Sequence, residues 1–168
     1  VFVLANIRGG GEFGPKWHQA GLKEKRQNVY DDFHAVAEDI TSQGISSREY
    51  LGIMGGSNGG LLVGVAYTQR PDLYNAVVCA VPLLDMKRYN KLLAGASWMG
   101  EYGNPDIPEE WEYIRKYSPY HNINMNADYP EVFFTTSTRD DRVHSGHARK
   151  MAAKMKDMGH KIYYFENI

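Results

Sequence analysis

Leu51-Gly-Ile-Met-Gly-Gly-Ser-Asn-Gly-Gly-Leu-Leu-Val63 is the stretch on which the fold turns. It reads as a short apolar strand, a tight turn carrying Ser57, and the opening of a helix that Pro71 stops. Gly55-Gly-Ser-Asn-Gly59 fits G-x-S-x-G, a turn that puts a serine on strained backbone with its hydroxyl raised above a sheet. Glycine is expected at 55 and 59 because side chains there would collide with the neighbouring strand and helix. The positive end of the helix starting near Asn58 points at the serine, which makes the Asn58 backbone N–H a natural oxyanion donor. Glycine-rich turns of this length are common. The strand over 50–54 and the helix over 60–69 supply the context that makes Ser57 a candidate nucleophile.

Upstream of the turn, residues 28–43 have helical periodicity, with Val29, Phe33, Val36, Ala37 and Ile40 on one face, and Gly44 ends the run. Asp31 and Asp32 suit the positive end of that helix. Val1-Phe-Val-Leu-Ala-Asn-Ile7 is almost continuously apolar and is expected to form a strand buried on both faces. Arg8-Gly-Gly-Gly-Glu-Phe-Gly14 then turns the chain. It lacks the Gly-Lys-Ser/Thr ending of a phosphate-binding loop, and Pro15 and Trp17 follow where a helix should begin. A structural loop beside the Ser57 site is therefore the expectation.

Downstream, residues 75–82, 130–137 and 161–165 are further strands, the first two apolar on both faces. A helix over 144–158 carries His147, Met151, Met155 and Met158 as its inner stripe, and Gly159 ends it. Residues 83–126 are irregular and aromatic, holding Trp98, Tyr102, Trp111, Tyr113, Tyr117 and Tyr120, with a short helix around 109–116. So long a connection is expected to line a binding site, although any one of its aromatics could equally pack a satellite core. Strands alternating with helices imply an α/β fold, a doubly wound, mostly parallel sheet flanked by helices.

At 168 residues the chain can bury one sizeable core. A net charge of -1 gives no reason to expect nucleic acid or an anionic membrane as partner. Cys79 is the only cysteine, which excludes an internal disulfide and a cysteine-rich metal site, and it lies in an apolar run as a buried inert thiol. No apolar run approaches the roughly 18 residues that span a bilayer. A cytoplasmic setting is the default expectation. Because the chain opens and closes on core-type strands, it is expected to be a partial domain truncated at both ends.

A serine nucleophile needs a base, and the base needs an orienting carboxylate. In α/β-hydrolases these follow in the order Ser, Asp or Glu, His. Asp140 and Asp141 stand after the strand over 130–137, where a triad acid belongs, or they cap the following helix. His144 and His147 come too soon after Asp140 to reach Ser57. His18, His34 and His121 have no evident reason to approach it, and His160 lies at the wrong end of the sheet. By chain order the base is expected beyond Ile168.

Gly55-Gly-Ser-Asn-Gly-Gly-Leu-Leu62, with Asn6-Ile-Arg-Gly-Gly-Gly-Glu-Phe-Gly14, Gln69-Arg-Pro-Asp-Leu73 and Asp140-Asp-Arg-Val143, resembles the prolyl oligopeptidase family of serine peptidases over almost the whole chain. Asn58 is more similar to the proline-specific branch than to the basic-residue-specific one, which usually has alanine there. The resemblance implies Ser57 as nucleophile, Asp140 as triad acid and Asn58 as oxyanion donor and pocket wall. It implies that Trp98 stacks on a substrate proline, that Tyr102 and Val143 line the same pocket, and that Arg142 binds a substrate carbonyl. It further implies cleavage of short peptides after proline without metal or cofactor. A tyrosine oxyanion donor and a β-propeller would lie upstream of Val1, and the catalytic histidine downstream of Ile168. An acylaminoacyl peptidase or esterase on the same fold, or a catalytically dead peptide-binding relative, remain as alternatives.

Overall fold

The computed structural model describes every residue from Val1 to Ile168. Strands β1 (Gly52–Gly56), β2 (Ala76–Ala80), β3 (Glu131–Ser137) and β4 (Ile162–Asn167) form one sheet in the order β1-β2-β3-β4, every pair parallel. The helices are α1 (Pro15–Gln19), α2 (Gln27–Ser42), α3 (Asn58–Gln69), α4 (Met99–Tyr102), α5 (Pro108–Tyr117), α6 (Pro119–Asn122) and α7 (Gly146–Asp157). Expected and observed bounds differ by a few residues at most for α2, α3, α5, α7 and the four strands. No helix is long and apolar enough to cross a membrane.

Parallel strands that advance steadily in one direction through right-handed crossovers put every connection on the same side. Accordingly, Val63 and Tyr67 of α3 and Met151 and Met155 of α7 bury the face made by Val77, Cys79, Val132 and Phe134. The expected inner stripe of α7 is thus in the core, with Met158 partly buried at its end. Met54, Val78 and Phe133, which alternate with the buried positions, are exposed. Within residues 1–168, the strands expected to be covered on both faces are therefore covered on one. A second core joins Val29 and Tyr30 of α2 to Leu61 and Val65 of α3 and to Tyr102, Ile114 and Tyr117 of the aromatic segment.

Two further expectations are corrected. Residues 1–7 form no strand, and Val1 to Leu4 are exposed. An apolar run becomes a strand only where its N–H and C=O groups meet a partner ladder, and β1 is paired on its β2 side alone. Between Val1–Ala5, α2 and the open edge of β1 lies a hollow of about 690 Å³, eighteen of whose twenty lining residues are hydrophobic. Pro15 does begin a helix, the one-turn α1, with proline at its first position, where the missing N–H costs nothing.

The aromatic segment is fastened at its start to α7 by buried polar contacts. Backbone N–H groups of Leu84 and Asp85 donate to His147 Nδ1 at 3.3 and 3.1 Å. The Asp85 carboxylate, 1% exposed, pairs with Lys150 of α7, and the Met86 N–H donates to Ser118 Oγ at 3.1 Å. Burial pushes the His147 imidazole down to about 4, with His144 and Lys150 adding to the effect and Asp85 opposing it. Unfolded, the group takes up its proton near 6.5, so the unfolded state binds more protons between these values. Stability from His147 is complete above 6.5 and falls with acidification toward 4, by about 3 kcal/mol in all. His34 and His121 are lowered too and add to the same slope. Denaturant unfolding across this range should therefore show a shallower acid loss in His147→Asn than in the unsubstituted protein. Equal slopes would contradict the buried neutral imidazole.

Candidate active site

Ser57 joins β1 to α3 with φ 57° and ψ -115°, backbone that a non-glycine residue adopts at a cost of about 1–3 kcal/mol. The surroundings hold it there. Its N–H donates to the Ala80 carbonyl at 3.0 Å, and its own carbonyl accepts the Leu61 N–H at 3.1 Å. A Cβ on Gly55 would stand 2.2 Å from the Gly59 carbonyl oxygen, and one on Gly60 would stand 2.8 Å from the backbone of Ala80 and Pro82. A Cβ on Gly59 would meet nothing within 4 Å, so the expectation of a clash there is corrected. The close approach is made by the backbone of residue 59, and the second tight glycine is Gly60.

The Ser57 hydroxyl borders a cavity of about 520 Å³ whose walls include Asn58, Trp98, Glu101, Tyr102 and Arg142. The first N–H groups of α3 have no acceptor within their own helix and so are available at this end. The side chain of Asn58 is clamped. Its Oδ1 accepts from Arg26 Nη2 at 2.6 Å and from the Tyr102 hydroxyl at 2.8 Å. Arg26, 3% exposed, also donates to the Glu101 carboxylate and lies over the Tyr102 ring, 4.9 Å from its centroid. Burial opposes the charge on Arg26, yet Tyr30, Tyr102 and Glu101 hold its pKa above the ordinary arginine value. Separating such a buried cation from its carboxylate costs about 3–5 kcal/mol, so Arg26 and Glu101 act as a unit.

Asp140 follows β3 at the carboxyl end of the sheet. Its Oδ1 accepts the N–H groups of Arg142 and Val143, both at 2.9 Å, so it closes its own turn and does not cap α7, which starts at Gly146. That turn brings Arg142 to the serine, with Nη2 3.4 Å from Ser57 Oγ. The Arg142 carbonyl accepts the Ala94 N–H at 3.3 Å, tying the Asp140 turn to the segment bearing Trp98. Asp141 is exposed. Val143 is buried in the core cluster that holds Tyr102 and against which Trp98 packs, and it is not among the cavity-lining residues.

The histidines are otherwise engaged. His144 Nδ1 accepts the Gly146 N–H, His147 is in the core, His34 meets the Tyr74 hydroxyl, His121 meets Ser118 Oγ, and His160 bonds the Asn124 carbonyl. His18 differs from expectation, since it borders the Ser57 cavity. Its Nδ1 donates to the Gly9 carbonyl at 2.9 Å and its Nε2 faces Glu101 at 3.8 Å, so the ring meets these two groups and makes no hydrogen bond to the serine hydroxyl. The glycine loop lies beside the site as expected. Gly9 borders the cavity, and the loop is pinned by Trp17 Nε1 on the Ile7 carbonyl and by Arg8 on Asp32.

Arg26, Glu101 and His18 were not legible as site residues. Arg26 ends the charged run Lys23-Glu-Lys-Arg26, which has the composition of a solvated face and no pattern that signals burial. Among the expected site residues, Ser57, Asn58, Trp98, Tyr102 and Arg142 share one cavity, and Asp140 anchors the turn that delivers Arg142.

Comparison with known proteins bears on the family and the fold. The chain is 63% identical over its full length to the uncharacterized peptidase y4nA of Sinorhizobium fredii, covering 23% of that protein. It is 45% identical over 157 residues to the prolyl endopeptidase of Elizabethkingia meningoseptica, which is 93% of this chain and 22% of the relative. A solved post-proline cleaving enzyme from Rickettsia typhi superposes with a TM-score of 0.95 at 51% identity, over 96% of this chain and 24% of that one. The chain thus spans less than a quarter of the length of these relatives. The fold is that of the α/β-hydrolase domain of such enzymes. With the model of the prolyl oligopeptidase family matching residues 1–167, the chain belongs to that family of serine peptidases.

Proposed function

We propose that the protein containing this chain cleaves short peptides on the carboxyl side of proline through an acyl-enzyme on Ser57. The observation that carries the reading is the strained Ser57 turn opening onto a cavity walled by Trp98 and Tyr102, with Arg142 at its rim. The residue before the scissile bond would place its pyrrolidine ring against the Trp98 indole, an apolar face suited to a ring without an N–H. Arg142 would turn from Ser57 Oγ to a carbonyl of the peptide.

In this mechanism Ser57 Oγ attacks the prolyl carbonyl carbon while its proton passes to a histidine oriented by Asp140. The oxyanion that forms is met by the Asn58 N–H at the start of α3, with a tyrosine hydroxyl as second donor. The histidine returns the proton to the departing amine, which leaves the acyl-enzyme. Water then gives its proton to the same histidine and its oxygen to the acyl carbon, and Ser57 regains its hydrogen.

Residues 1–168 would then be most of the catalytic domain, with the histidine on a loop after β4 and the tyrosine and a β-propeller elsewhere in the longer protein. The engagement of all six histidines with other partners supports a base from outside this stretch. Taken alone, the chain should not turn over peptides, because loss of a triad member removes most of the rate.

Two outcomes test the proposal. A fluorophosphonate probe should label the full-length protein at Ser57, and labelling that survives Ser57→Ala would contradict the assignment. Trp98→Ala should lower the preference for proline over alanine before the scissile bond by about tenfold to a hundredfold. An unchanged preference would favour an acylaminoacyl peptidase or esterase.

A further inference from the structure

The cavity that receives the substrate contains a carboxylate that the proposed chemistry does not use. Glu101 lines it, 24% exposed at the side chain, three residues from Trp98. A bare carboxylate beside a pocket for an uncharged ring would attract cationic side chains and disfavour proline. Instead, one oxygen is held by the buried Arg26 guanidinium, and the other faces His18 at 3.8 Å. The second arm of Arg26 grips Asn58 Oδ1 at 2.6 Å, and its plane lies over Tyr102. Arg26 does not line the cavity itself, so it reaches the substrate only through Glu101, Asn58 and Tyr102.

We propose that Arg26 is a positioning residue that sets selectivity by neutralising Glu101, and that Glu101 is a dormant cation-binding group in the same pocket. Paired, the two charges present a short dipole whose field fades across the cavity faster than that of a lone charge. Unpaired, the carboxylate would recognise a lysyl or arginyl side chain where proline otherwise sits. The inference rests on the proposed proline-directed function and adds to it the residue pair that keeps the site neutral.

The test uses the full-length enzyme and four peptides that differ only in having proline, alanine, lysine or glutamate before the scissile bond. Arg26→Met should raise kcat/KM for lysine relative to proline by about tenfold or more. Adding Glu101→Gln to that variant should reverse the gain, and Arg26→Lys, which keeps the charge, should show none. A purely structural role for Arg26 would lower activity on all four peptides alike and would not be rescued by removing the carboxylate. Should Arg26→Met fail to fold, Glu101→Gln alone carries the test. It leaves Arg26 as the unbalanced charge and should favour a glutamyl over a lysyl substrate by about tenfold relative to the unsubstituted enzyme. An unchanged lysine-to-proline ratio in Arg26→Met, a gain that persists in the double variant, or no shift in Glu101→Gln would each overturn the inference. An unsubstituted enzyme with no preference for proline would instead overturn the proposed function.

Discussion

The end of β1 and the start of α3 approach so closely that no side chain fits between them, and this contact sets the terms for the rest of the molecule. Gly55 lies against the Gly59 carbonyl, and Gly60 against the backbone after β2. With both glycines in place the chain can reverse within one residue, and that residue, Ser57, carries the unfavourable backbone angles. Hydrogen bonds to Ala80 and Leu61 hold the turn. The same contact fixes where α3 points and therefore where its unpaired N–H groups lie. A nucleophile and an oxyanion donor thus arise from one steric constraint.

The other half of the site comes from a segment with little regular structure. The irregular stretch after β2 is secured at its start by His147 and the Asp85–Lys150 pair, and in its middle by Arg26 and by the Ala94–Arg142 backbone bond. These contacts tie the aromatic wall to three separate parts of the scaffold: α7, the entry to α2, and the Asp140 turn. Leu93, with φ 48°, takes up the change of direction just before the Trp98 wall. Buried polar contacts of this kind specify one arrangement because each is costly to leave half-made.

Periodicity made the parallel α/β scaffold legible in the sequence, because α2 and α7 carry clear apolar stripes and the turn at Ser57 has a distinct glycine pattern. Pattern reading was less successful where burial depends on what lies across a gap. Val1 to Ile7 has the composition of a buried strand, but strand formation is decided by a partner ladder, which composition does not reveal. The strands read as apolar on both faces because their residues are, and the helices within residues 1–168 cover one of those faces. Gly59 looked constrained by its place in the pattern, whereas the constraint falls on Gly55 and Gly60. Arg26 and His18 reach the site through tertiary contacts, and a charged run or a lone histidine carries no trace of such contacts in one dimension.

The most direct test of the account is a crystal structure of the full-length protein with a peptidyl-prolinal bound as a hemiacetal. The account predicts a covalent bond from Ser57 Oγ, the hemiacetal oxygen within hydrogen-bonding reach of the Asn58 N–H, the pyrrolidine ring on Trp98, and a histidine from outside residues 1–168 between Asp140 and Ser57. An adduct on another residue, or His18 occupying the base position, would contradict it.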